Sequence, residues 1–184
     1  GELGDSSYVA RRVGDTGFLA VASPEYLTEH GSPARPEDLL EHNCLRQTDQ
    51  LLTRYWTFYR DGKPMQMKVS GNFSATLASA VRRAARRGLG IAYLPTYMII
   101  NDISRRHLVW LFPDLEPLLL PIHAIYPHRQ HLSTRIQTFL EFLAGHLGDS
   151  GVGRLRVLAT ASRYLTEPGA AIATTVDDSI FTDE

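Results

Sequence analysis

The side chains best suited to hold a ligand lie in the run VSGNFSATLASA, residues 69–80. Asn72, Ser74 and Thr76 bring an amide and two hydroxyls, Phe73 brings an aromatic face, and no acidic residue interrupts them. The spacing predicts that a strand ends here and a helix begins, running from Ser74 to Arg87 with Leu77, Val81, Ala84 and Ala85 on one face. A helix start offers free backbone N–H groups and the positive end of the dipole, so with neighbouring hydroxyls it can hold a carboxylate. The same residues also serve as ordinary caps, Asn72 or Ser74 accepting from the first turn. Both readings stand on the residues alone.

The other end of that helix reads AARRGLGIAYLP, Ala84–Pro95. A dinucleotide phosphate cradle runs strand, glycine turn, helix. Here the order is helix, Gly88-Leu89-Gly90, strand, so the glycines sit at a helix C-terminus whose carbonyls repel phosphate. Gly88 is expected to end the helix, with Arg82, Arg83, Arg86 and Arg87 on its outer face. As a nucleic-acid patch these arginines lack support from the total charge: 19 basic residues stand against 20 acidic ones.

Other constellations carry less. GDSG at 148–151 matches a serine-protease nucleophile segment but has no histidine and buried carboxylate in the required setting. His123, His128 and His131 cluster in HAIYPHRQH without the cysteine or carboxylate partners a zinc site prefers, so no metal and no cofactor is expected. Cys44, beside His42, reads as a small core residue, and a single cysteine leaves no disulfide framework. Asp5, Ser6 and Ser7, near Arg11 and Arg12, form either a polar site or a turn. Trp56, Phe58, Tyr59 and Trp110 alternate with polar residues, as core-facing strand residues do.

The elements that would position these residues alternate between strand and helix. GFLAVAS (17–23) predicts a buried strand. In SPEYLTEHG, Ser23 fits an N-cap, Pro24 the first helical position and Gly31 the stop. Two strands flank Asp61-Gly62, a pair that tolerates positive φ in a hairpin. IAYLP, LVWLF and LLLPIHAIYP read as strands, and TYMIINDISRRH as a helix. In STRIQTFLEFLAGHLG, Ile136, Phe139, Leu140, Leu143 and Leu147 form an apolar stripe. The whole is α/β, in one domain or two small lobes. Residues 149–184, small, polar and finally acidic, are expected to be weakly ordered. No run of about 18 apolar residues predicts a membrane span, and the opening residues, without a basic and then apolar run, are not expected to be a signal peptide.

Taken in order, GELGDSS, ASPEYL, G-x-P-x-x-P-E-D-L from Gly31, HNCL, the WTF run, AARRGLGIAYLPTYMI, LVWLFPDLE and LPIHAIYPHRQHLSTRIQTFLEFL resemble a LysR-type transcriptional regulator over residues 1–148. The resemblance implies a periplasmic-binding-protein-like, two-lobed α/β fold with mixed sheets. Residues 1–12 would end an incomplete first lobe. Residues 13–123 would form the crossover strands and second lobe, 124–148 would return to the first, and 149–184 have no counterpart. It implies a small, anionic, organic effector in the cleft, contacted by Ser6, Ser23, Asn72, Phe73, Ser74 and Thr76, and no catalytic residue. Partners would be a second copy, as dimer or tetramer of a cytoplasmic full-length protein, and DNA only through a helix-turn-helix domain that this chain lacks. Two other functions compete: a solute-binding or assembly module, and a small α/β enzyme, which would need convergent titratable groups at strand ends.

Overall fold

The structure, a computed structural model, describes residues 8–48, 55–127 and 134–147. The predicted strand GFLAVAS lies inside a longer one, β1, Tyr8–Ala22. From Phe18 to Ala22 every residue is buried, alternately on the two faces of one sheet. A strand covered on both faces needs no polar alternation, hence the continuous apolar run. Phe18, Ala20 and Ala22 join Tyr26, Cys44, Trp56 and Tyr93 on one face. Leu19 and Val21 join Leu45, Val81, Leu94 and Ile99 on the other.

The remaining elements follow local grammar closely. Helix α1, Pro24–His30, is capped by Ser23 and stopped by Gly31 at φ 81°. A 3-10 turn, Pro36–Glu41, leads into β2, Cys44–Gln47. Strands β3, Tyr55–Arg60, and β4, Lys63–Lys68, form a hairpin through Asp61 and Gly62, both at positive φ. Then come β5, Ser74–Ala75; α2, Ala78–Arg86; β6, Ile91–Pro95; α3, Thr96–Ser104; β7, Val109–Trp110; β8, Glu116–Pro127; and α4, Thr134–Leu147.

The strands form one sheet in the order β4-β3-β8-β1-β6-β2-β5, with β7 also on β1. β2 runs parallel to β5 and β6, and the other pairs are antiparallel, so the sheet is mixed as expected. It also curls. Trp56 of β3 stacks on Tyr93 of β6, ring centroids 5.3 Å apart, although two strands separate them in the order. The Tyr93 hydroxyl donates to the Thr57 carbonyl, and burial pushes its pKa up.

Two expectations are corrected, and a third is qualified by exposure. The helix predicted from Ser74 begins only at Ala78, because Ser74 and Ala75 pair with Arg46 and Gln47 as β5. The arginine face of α2 is not simply solvated. Arg82 grips the carboxylate of Asp102 on α3 with two prongs, Nη2 to Oδ1 at 3.0 Å, and Arg86 lies 3.4 Å from it. Asp102 is 2% exposed, and these hydrogen bonds hold Arg82 above its usual pKa. On α4, Leu140 is buried but Ile136 and Phe139 of the predicted stripe are exposed.

Candidate functional site

Because β2, β5 and β6 run parallel, their carboxyl ends share one edge of the sheet. In open α/β sheets this edge is where ligands sit. Gln47, Ala75 and Pro95 mark it. β1 runs antiparallel to β6 with Phe18 opposite Pro95, so Thr16 and Gly17 reach the same edge. Helix α3 starts there directly from β6, and α2 starts two residues past β5. Neither start carries a side-chain cap.

Hydroxyls gather on this edge. Thr96 Oγ1 lies 3.3 Å from Thr16 Oγ1 and accepts from the Gly17 N–H at 3.3 Å. Thr48 Oγ1 donates to Thr76 Oγ1 at 3.3 Å, and Gln47 Nε2 donates to the Thr76 carbonyl. Leu77 and Tyr97, at the two helix starts, are 69% and 67% exposed, an apolar rim beside the hydroxyls.

The amino edge, about 16 Å away along five-residue β6, is built differently. Asn43 Nδ2 donates to Asn72 Oδ1 at 2.9 Å and to the Leu89 carbonyl, while Asn43 Oδ1 accepts from the Asn72 N–H at 2.9 Å. The Asn43 N–H itself donates to the Tyr26 hydroxyl. A Cβ on Gly71 would collide with the Cys44 carbonyl, and one on Gly90 with that of Asn43. Gly88 ends α2 at φ 75°. The glycine pair is thus helix termination and close backbone packing, not a phosphate cradle.

Of the six residues expected to contact an effector, the five that are described are not all brought together. Ser23 is fully buried at the amino edge, its Oγ accepting from the Tyr26 N–H at 3.2 Å as the cap of α1. Asn72 is exposed but locked to Asn43 at that edge. Phe73 is half-buried against the α2-side core. Ser74 and Thr76 lie toward the carboxyl edge, both exposed. Ser6 lies outside the described residues, as do His128, His131 and the GDSG run.

Thr16, Thr48 and Thr96 went unnoticed in the sequence, since only strand pairing gathers them. The alternation in CLRQT already puts Arg46 and Thr48 on one face, but nothing local says which strand lies beside them. Cys44 is no nucleophile: burial pushes its thiol up to about 12, and Sγ points to the Leu39 carbonyl at 3.6 Å. Among the described residues no three His, Cys, Asp or Glu side chains are grouped to hold a metal, and no helix is long and apolar enough to cross a membrane.

Residues 1–148 match the family described as LysR substrate binding domain. The chain is 34% identical over 154 residues to the HTH-type transcriptional regulator CrgA of Neisseria meningitidis, a match covering 83% of this chain and 51% of that one. It is 28% identical over 151 residues to the HTH-type transcriptional activator AaeR of Escherichia coli, covering 82% and 49%. The chain thus spans about half the length of these curated relatives. Among solved structures, the regulatory domain of CrgA superposes with a TM-score of 0.67 at 32% identity, covering 79% of this chain and 72% of that one. The full-length virulence activator AphB of Vibrio cholerae gives 0.65 at 29%, covering 78% and 49%.

Proposed function

The chain belongs to the LysR substrate-binding domain family, and from that premise we propose that a small organic acid is its effector and binds at the carboxyl edge of the sheet. One observation carries the reading: two uncapped helix starts and a set of threonine hydroxyls share one edge, beside exposed Leu77 and Tyr97. Backbone N–H groups at such starts favour negative charge. Ser74, Thr76, Thr48 and Thr16 form the polar part of the site, and Thr96, 2% exposed, supports it from beneath through Thr16 and Gly17. Ser23, Asn72 and Phe73 take structural parts instead, and Ser6 stays an expectation from the resemblance.

A register shift in the ribbon of β1 and β8 supports the proposed division into lobes. Their register shifts between Arg12 and Gly14, opposite His123 and Ile122, so Val13 is an inserted residue. A bulge of this kind bends a strand pair and raises its twist. It falls where residues 13–123 are divided from 1–12 and 124–148. A ligand that prefers one lobe arrangement shifts the population toward it, and a regulator reads that shift. In the whole protein the response would pass through a homo-oligomer, dimer or tetramer, to a helix-turn-helix domain on DNA in the cytoplasm. The relatives matched are transcriptional regulators, which favours this reading over a solute-binding module or an enzyme.

A thermal-shift screen of small organic acids tests the reading, since a ligand that binds only the folded state raises the melting temperature. Ser74→Ala combined with Thr76→Val is expected to remove the rise while leaving the ligand-free melting temperature in place. Unchanged affinity in the double variant would refute the assignment of these hydroxyls.

A further inference from the structure

Four donor side chains share one face of the β2–β5 pair. Leu45 lies in the core beneath α2, and Phe73 and Ala75 pack against it. Strand alternation therefore turns Arg46, Ser74 and Thr76 to the opposite face, the one on which Cys44 is buried. Arg46 and Ser74 are partners in the parallel register, so their side chains emerge beside each other. Thr48 and Thr76 follow as the next pair, joined through their hydroxyls. The array holds a guanidinium and three hydroxyls, with no carboxylate among the described residues.

Arg46 is the anomaly. It is half-buried, and its Nε is shut off from solvent with no hydrogen-bond partner among the described residues. The ion pairs among the described residues lie elsewhere, at Arg12–Asp15, Arg35–Asp38 and the Asp102 cluster. A guanidinium does not escape by losing its proton. A partly enclosed charge without a counter-charge is costly, and it is relieved when a carboxylate or other oxyanion accepts from it in a two-pronged pair.

Resting on the effector site proposed above, we infer that Arg46 is the residue that recognises the ligand's negative charge, with Ser74 as its neighbouring donor. The site then selects a carboxylate or other oxyanion over the neutral molecule of the same shape. The exposed Leu77 and Tyr97 favour an acid with an apolar body.

The test uses the full chain, with benzoate and its neutral isostere benzamide as probes, and inorganic sulfate as a bare oxyanion, all at fixed ionic strength. Benzoate is expected to raise the melting temperature and benzamide to leave it alone. Arg46→Gln should weaken benzoate roughly tenfold or more, the loss of a charged hydrogen bond. Arg46→Lys, which keeps the charge but not the fork, should fall between. The ligand-free Arg46→Gln chain should melt no lower than the parent, because it loses an unpaired charge.

If Arg46→Gln binds benzoate as tightly as the parent while Ser74→Ala with Thr76→Val does not, the site stands and the role of Arg46 is overturned. If both variants bind as the parent does, the site itself is misplaced. A parent chain that responds to neither benzoate nor sulfate overturns the inference. So does a large fall in melting temperature of the ligand-free Arg46→Gln and Arg46→Met chains, which keep most of the stem and lose the charge; such a fall would make the guanidinium a structural group of the fold.

Discussion

The two edges of the same sheet are finished in opposite ways. At the amino edge the polar groups are answered within the chain: Ser23 caps α1, Asn43 and Asn72 exchange hydrogen bonds, and Gly71 and Gly90 let backbones touch. At the carboxyl edge the threonine hydroxyls pair with one another and nearby backbone, both helix starts lack a side-chain cap, Arg46 Nε has no partner among the described residues, and Leu77 and Tyr97 stand in solvent. An edge finished internally contributes stability and has little left to offer a ligand. An edge left with uncapped helix starts and bare apolar surface gives up some stability and keeps interactions for a partner.

The contrast can be broken first at its tightest point. Gly71→Ala places a methyl group against the Cys44 carbonyl and 2.7 Å from Asn43 Oδ1, so it should destabilise by about 3 kcal/mol or more in urea unfolding. Next, Asp102→Ala strips the buried partner from Arg82 and Arg86. With Arg82 33% exposed, water offsets part of that loss, and a fall of roughly 2 kcal/mol is expected by the same measurement. Asn43→Ala should cost about 1–2 kcal/mol, because the groups it bonds are exposed enough to turn to water.

At the carboxyl edge the order of effects reverses. Ser74→Ala with Thr76→Val should change stability by no more than about 0.5 kcal/mol, yet abolish the response to an acidic ligand. A double variant that unfolds easily and still binds would erase the distinction between the edges.

Cys44, where β2 leaves the amino edge, sharpens it at neutral pH with no stability change at all. Its buried thiol should resist alkylation by iodoacetamide until the chain unfolds. The sign of its pH dependence follows from burial. The folded thiol keeps its proton up to about 12 whereas the unfolded one loses it near 9.0, so stability should fall across that window as pH rises. Cys44→Ala should flatten that fall.

What could be read from the sequence was whatever a few neighbouring residues decide. Ser23-Pro24 and Gly31 delimit α1, Asp61-Gly62 turns the hairpin, Gly88 stops α2, and the run from Gly17 to Ala22 announces a strand buried on both faces. The α/β class and the family resemblance rest on such strings. The failures share one cause, a partner distant in sequence. Helical propensity over Ser74–Leu77 yields to pairing with β2, 28 residues earlier in register. Arg82 finds Asp102 across 20 residues. Ser74 and Thr76 drew notice as the start of a helix, whereas they are strand-side neighbours of Arg46 and Thr48. Ser23 and Asn72 drew notice for polar atoms that the fold consumes.

The most direct test follows backbone amide resonances of the isotope-labelled chain during titration with an acid that raises its melting temperature. The amides of Gly17, Arg46, Thr48, Thr76 and Tyr97 should shift in a saturable way, with those of Asn43, Asn72, Gly88 and Gly90 still. Saturable shifts confined to Asn43, Asn72 and Gly88–Gly90, with the carboxyl edge silent, would contradict the placement of the ligand.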